Sequence, residues 1–174
     1  GGSLDIGPGN VVAVIPANGL TLDIVTMDVV TGNAALGTAG TLTGANVLSF
    51  TISGASLFVG TGAELDVGRT GINDEAGEGT LTADAVGFSV SGASFAMASV
   101  TKGTESFTGL QASVTSAALL GVDAVDLQVS GTVKLNQTSR VDGERINWTT
   151  ATLLANDPDN VIPVLAITEA QQLS

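Results

Sequence analysis

Two short loops concentrate the oxygen ligands of this sequence. Asn73-Asp74-Glu75 with Glu78 lies in a glycine-bearing stretch, and Asn156-Asp157 with Asp159-Asn160 flanks Pro158. A hard cation such as Ca2+ takes about 6–8 oxygen ligands, which a loop with several carboxylates and free carbonyls can supply. Asp74, Glu75, Glu78, Asp157 and Asp159 are therefore the candidate metal ligands, and Ca2+ is the one cofactor they suggest. The alternative is a solvated turn, because Asp and Asn close turns through their own backbone. Asp23 with Asp28, and Asp123 with Asp126, fall in strand-like stretches and read as solvent-facing residues that deter edge pairing.

Two other features could bind rather than ligate. Trp148, the only tryptophan, stands in Asn147-Trp148-Thr149. Its ring could stack on a sugar, but a plug over the end of the core is the expected role. Thr41-Leu42-Thr43 and Thr80-Leu81-Thr82 could place threonine rows on a flat β-face and order water, as an ice binder does. Only two such motifs occur, where an ice binder needs a long ladder, so two ordinary solvent-facing strand starts are the expected reading.

Catalysis has little to work with. The chain has no Cys and no His, so histidine-based triads, cysteine nucleophiles and His or Cys metal sites are excluded. No glycine-rich phosphate loop followed by Lys and Ser/Thr exists. A carboxylate pair of the glycosidase kind remains, but seventeen acidic residues offer many pairs and no spacing singles one out. The chain is expected not to be an enzyme.

Composition sets the frame for these groups. The 174 residues suffice for one domain with a sizeable core, and 44% are hydrophobic, which excludes a disordered polyampholyte. The apolar residues are mostly Val, Leu, Ala and Ile, with aromatics at 3%, so thin layers and close sheets are expected. The net charge of −12 argues against nucleic acid and against anionic membranes. It fits an extracellular chain kept soluble by carboxylates. No run of about 20 apolar residues is present to span a membrane as a helix. Gly1-Gly2-Ser3 is expected to be an artificial remnant outside the fold, leaving 4–174 as a single domain.

The elements that must carry these groups read as strands. Phe88 and Val90, then Phe95 and Met97, alternate with small residues, and Gly92-Ala93 shifts the phase as a β-bulge or tight bend would. Leu110, Ala112 and Val114, and Leu127, Val129, Val133 and Leu135, keep the same period. Leu20, Leu22 and Ile24 do so before an apparent slip to Met27 and Val29. Ile146-Asn147-Trp148 could open a short strand, and 161–168 is the last expected one. Turns are marked by Asn18-Gly19, Gly60-Thr61-Gly62, Gly77-Glu78-Gly79, Asp142-Gly143 and 157–160. Only 115–120 and 169–173 could be helical.

A block also recurs. Gly40-Thr41-Leu42-Thr43 precedes Phe50-Thr51-Ile52-Ser53-Gly54-Ala55-Ser56, and Gly79-Thr80-Leu81-Thr82 precedes Phe88-Ser89-Val90-Ser91-Gly92-Ala93-Ser94. A weaker copy is Leu127-Gln128-Val129-Ser130-Gly131-Thr132-Val133. The anchors Phe50, Phe88 and Leu127 recur at spacings of 38 and 39 residues, which suggests repeats near 40–78, 79–117 and 118–150. The expected fold is all-β: an elongated, repeat-built architecture, β-solenoid-like or a layered sheet, with a β-sandwich as the alternative.

These blocks, with Leu57-Phe58-Val59-Gly60-Thr61-Gly62 after the first and Leu110-Gln111-Ala112-Ser113-Val114 further on, resemble repeat units of giant adhesin-like surface or secreted proteins of bacteria. The resemblance covers roughly residues 40–150. It implies an extracellular or cell-surface location, neighbouring repeat modules of the same chain as partners, and in some cases Ca2+ dependence. It brings no catalytic residues, and the Asp-rich glycine nonapeptide of calcium β-rolls is absent. In a bacterial protein the N-glycosylation patterns at Asn136-Gln137-Thr138 and Asn147-Trp148-Thr149 carry no weight. The functional expectation is a non-catalytic structural or adhesive module. The alternative is a carbohydrate- or ice-binding β-module stabilised by Ca2+, with a surface glycan as partner and neither nucleic acid binding nor membrane insertion.

Overall fold

The structure, a computed structural model, describes residues 2–5, 11–15, 18–65, 79–122, 127–153 and 161–173. Among them the chain is all-β, with no helix. Its strands are β1 (Gly2–Asp5), β2 (Val11–Ile15), β3 (Leu20–Val30), β4 (Thr41–Leu65), β5 (Gly79–Lys102), β6 (Glu105–Leu120), β7 (Gln128–Thr138) and β8 (Thr152–Leu153). They form one sheet in the order β1-β2-β4-β5-β6-β7, with β3 pairing β4 and β8. Val11 pairs with Val59 and Val14 with Ser56, so β2 runs antiparallel to β4. Along β3 and β4 the Thr26 hydroxyl donates to Asn46 Oδ1 at 2.7 Å, and the Gly44 amide donates to Asp28 Oδ1 at 2.6 Å. At 25 and 24 residues, β4 and β5 far exceed the usual strand of about 5–6.

Glycine makes such long strands workable. Gly54 and Gly92, in the two Ser-Gly-Ala-Ser copies, have φ of 68° and 61°. A left-handed glycine inside a strand is the signature of a G1-type bulge, in keeping with the phase shift at Gly92-Ala93. Both copies thus lie on neighbouring strands of one sheet. Gly60 and Gly87 serve close approach instead. A Cβ on Gly60 would lie 2.6 Å from the Gly87 Cα and 2.8 Å from Phe58 Cζ, and one on Gly87 would meet Phe58 Cζ at 2.9 Å. The Phe58 ring, buried to 4% exposure, occupies the space that two missing side chains leave. Gly60-Thr61-Gly62 is therefore strand and not the expected turn.

The chain divides into two compact units. One comprises Thr21–Thr51, Phe95–Ala112 and Val133–Ser174. It holds the core: Val29, Leu36, Val47, Val100, Phe107, Ile146, Trp148, Leu153, Leu165 and Ile167, all essentially inaccessible to water. The other comprises Gly1–Leu20, Ile52–Ser94 and Ser113–Thr132. Its buried apolar side chains, among the described residues, are Phe58, Ala85 and Ala117.

Several local expectations fail for identifiable reasons. Residues 115–120 lie in β6, where the Thr115 hydroxyl donates across to Gly92 O at 3.2 Å. Residues 169–173 form a turn and a bridge from Leu173 to Leu135. Residues 146–148 and 161–168 are not strands. Ile162, Leu165 and Ile167 are buried, yet Pro163 has no donor for a ladder. The Ala166 amide donates instead to Gln111 Oε1, and the Thr168 amide to Gln171 Oε1, each at 3.0 Å. β3 carries no slip. Leu22 and Ile24 are exposed while Val29 on the opposite face is buried, so one regular strand changes which face is apolar. Gly2 and Ser3, expected outside the fold, pair in β1 with Ile15 and Val14.

Candidate functional site

Asp74, Glu75, Glu78, Asp157 and Asp159 all lie outside the described residues, as do Asp123 and Asp126. Among the described residues no group of three or more acidic side chains is placed to hold a metal ion. Asp28 is half-buried and accepts the Gly44 amide from β4, so it ties two paired strands rather than deterring a pairing. Thr41 and Thr43 line a cleft of about 470 Å3 with Lys102, Glu105 and Arg140, not a flat row. The side chains of Thr80 and Thr82 are outside the described residues.

Trp148 is at 0% exposure, and its ring lies on Gly109, where a Cβ would come within 2.6 Å of Nε1 and Cε2. The plug expected from the sequence is thus present, and the ring has no face to offer a sugar. Its indole N–H donates to Asn136 Oδ1 at 3.0 Å. The Asn136 amide donates in turn to the carbonyls of Ile146 and Thr168, each at 3.0 Å. The Asn136 backbone N–H donates to Gln172 O at 2.7 Å. One buried amide therefore joins β7, the segment around Trp148 and the C-terminal segment, with its oxygen and both N–H bonds used.

Beside this node opens a cleft of about 570 Å3, lined by Ser106, Thr108, Gln137, Ser139, Arg145 and Gln172 among others. Among the described residues its walls carry hydroxyls, amides and one guanidinium, and no carboxylate. Arg145 Nε is buried without a hydrogen-bond partner. Its backbone is fixed, since Arg145 O accepts from Asn33 Nδ2 at 2.8 Å, and the same amide donates to Glu144 Oε2 at 2.8 Å. Such a cleft suits a hydroxyl-rich anion, because a guanidinium presents a fork that fits a carboxylate.

The neighbouring Arg140 is spoken for. It reaches Glu105 at 2.6 Å and Asp142 at 2.5 Å. The hydrogen bond from Arg140, then that from the Glu144 amide, lowers the Asp142 carboxyl to about 2. The bond to Asp142 raises Arg140 in return. The sequence marks neither Arg140 nor Arg145, and Asn136 only within an N-glycosylation pattern that carries no weight. The usable signal was that an acidic chain with five cations places two of them five residues apart, beside the expected turn at Asp142-Gly143. No family model, no curated protein and no solved structure matches the chain.

Proposed function

We propose that this chain is a non-catalytic adhesive β-module of a larger extracellular protein, and that it makes contact with an acidic glycan at the Arg145 cleft. The observation that carries this reading is the cleft's chemistry. Among the described residues it sets Arg145 beside hydroxyls and amides and includes no carboxylate. Such groups bind a uronate-like sugar without a means of cleaving it. The Asn136 node holds the cleft's floor rigid, which limits the entropy lost on binding. The very long β4 and β5 suit a scaffold built from stacked strand pairs, a layered sheet in which neighbouring modules continue the pattern. The surface location and tandem arrangement rest on the likeness of the recurring blocks to adhesin-like repeats.

The test is titration of the domain with an oligouronate and with its neutral counterpart, with a hydrolysis assay on the same sugars. Binding of the acidic sugar that is lost in Arg145→Ala, without turnover, is the expected result. Equal binding of the neutral sugar, or turnover removed by one Asp→Asn change, would overturn the reading.

A further inference from the structure

β7 ends the sheet, and its outer edge is covered over only part of its length. From Lys134 onward the C-terminal segment lies against it: Lys134 Nζ donates to Ala166 O at 2.8 Å and the Asn136 backbone N–H to Gln172 O at 2.7 Å. Leu119 N donates to Leu127 O, and Ser139 N to Ser106 O, so the odd-numbered residues of β7 turn their backbone toward β6. The even-numbered ones turn theirs outward, as Asn136 does. Gln128, Ser130 and Thr132 therefore present N–H and C=O groups to the free edge, and no described residue pairs with them there. Every residue from 127 to 133 is exposed. Leu127, Val129 and Val133 are 42%, 52% and 54% exposed, all on one face, and nothing lies within 4 Å of a Cβ built on Gly131.

We propose that this edge pairs antiparallel with the same edge of a second copy, about a two-fold axis at Ser130. An exposed edge is a template for another strand, and proteins that avoid pairing blunt it with charge, proline or a bulge. Residues 127–133 have none of the three: no charged residue, no proline and no positive φ. In a chain of net charge −12, this carboxylate-free edge is where two copies approach without direct repulsion. The register about Ser130 is self-complementary. It sets Gln128 opposite Thr132 and Ser130 opposite its own copy, all through outward backbone groups. On the apolar face it sets Leu127 opposite Val133, and Val129 over the open space at Gly131. The contact is isologous, so it closes at two copies.

Sedimentation equilibrium of the whole chain, from low micromolar to several hundred micromolar, should show a reversible dimer. Ser130→Pro removes an outward donor and leaves the β6–β7 ladder intact. It should weaken the dimer about tenfold or more, with an unchanged circular dichroism spectrum. Val129→Glu, at an exposed site, should do the same by bringing a carboxylate from each copy into a seam that otherwise has none. Because the chain has no cysteine, Ser130→Cys should cross-link to itself under mild oxidation, while Thr149→Cys should not. A monomer at every concentration, or a dimer indifferent to both Ser130→Pro and Val129→Glu, would overturn the proposal. A dimer that Ser130→Cys fails to link would overturn the Ser130 register.

Discussion

The two compact units use the same strands and the same glycine device to different ends. In the unit containing Trp148, segments 144–153 and 161–173 supply Ile146, Trp148, Leu153, Leu165 and Ile167 to a water-free core. In the other, Phe58, Ala85 and Ala117 are the buried apolar side chains among the described residues, although both units leave some large apolar residues exposed, such as Val59 and Phe88 here and Leu22 and Ile24 in the first. Each unit sets an aromatic ring on glycine: Trp148 on Gly109 in the first, Phe58 on Gly60 and Gly87 in the second. Only Trp148 is also tied by its N–H to a buried amide. Charge differs too, with eight carboxylates against four cations in the first unit and nine against one in the second. A ladder alone therefore orders a backbone, while a covered face and a satisfied polar node are what make it a core.

The sharpest way to break this contrast is Asn136→Leu. It orphans the Trp148 N–H and the carbonyls of Ile146 and Thr168, at about 1–3 kcal/mol each, so a loss of about 3–6 kcal/mol is expected. Urea unfolding followed by the fluorescence of Trp148 measures it, and a loss under about 1 kcal/mol would remove the node from the account. Next comes a matched pair. Val100→Ala in the core should cost about 2–3 kcal/mol, whereas Val129→Ala should stay within about 0.5 kcal/mol. Equal losses in urea melts would mean that the second unit is as well covered as the first.

The glycine device gives a smaller and more symmetrical test. Gly109→Ala and Gly87→Ala should each cost about 1–3 kcal/mol by overpacking. Gly109→Ala should shift Trp148 emission, and Gly87→Ala should leave it unchanged. The smallest effect belongs to the surface pair of Arg140 and Asp142. The Asp142 carboxyl is lowered to about 2, against an ordinary value near 3.9. A depressed folded value contributes stability that is fully present above about pH 4 and is lost as pH falls toward 2. Thermal melts of wild type and Asp142→Asn should thus differ slightly at pH 6 and converge near pH 2. A difference that persists at pH 2 would assign the effect to packing.

Much of the backbone was legible before any coordinates. Alternation at Phe88, Val90, Leu127 and Val129 reports strands because successive side chains must point to opposite faces. The bulge at Gly92 was legible because only a phase shift explains Phe88 and Val90 followed by Phe95 and Met97. The burial of Trp148 followed from one large ring among small aliphatic residues. What alternation does not report is the partner of each backbone N–H. Residues 161–168 alternate like a strand, yet the Ala166 and Thr168 amides go to the side chains of Gln111 and Gln171, the Ile167 amide to Leu165 O, and Pro163 gives none. Gly60-Thr61-Gly62 resembles a turn locally, but a facing glycine on another strand makes it a site of close approach. Nothing in the local sequence marks Asn136 as the buried node, because burial of a polar group is set by chains that arrive from elsewhere in the sequence. Local sequence determined which way each side chain points. Tertiary structure alone decided what lies above it, because hydrogen-bond partners and cover come from residues far away along the chain.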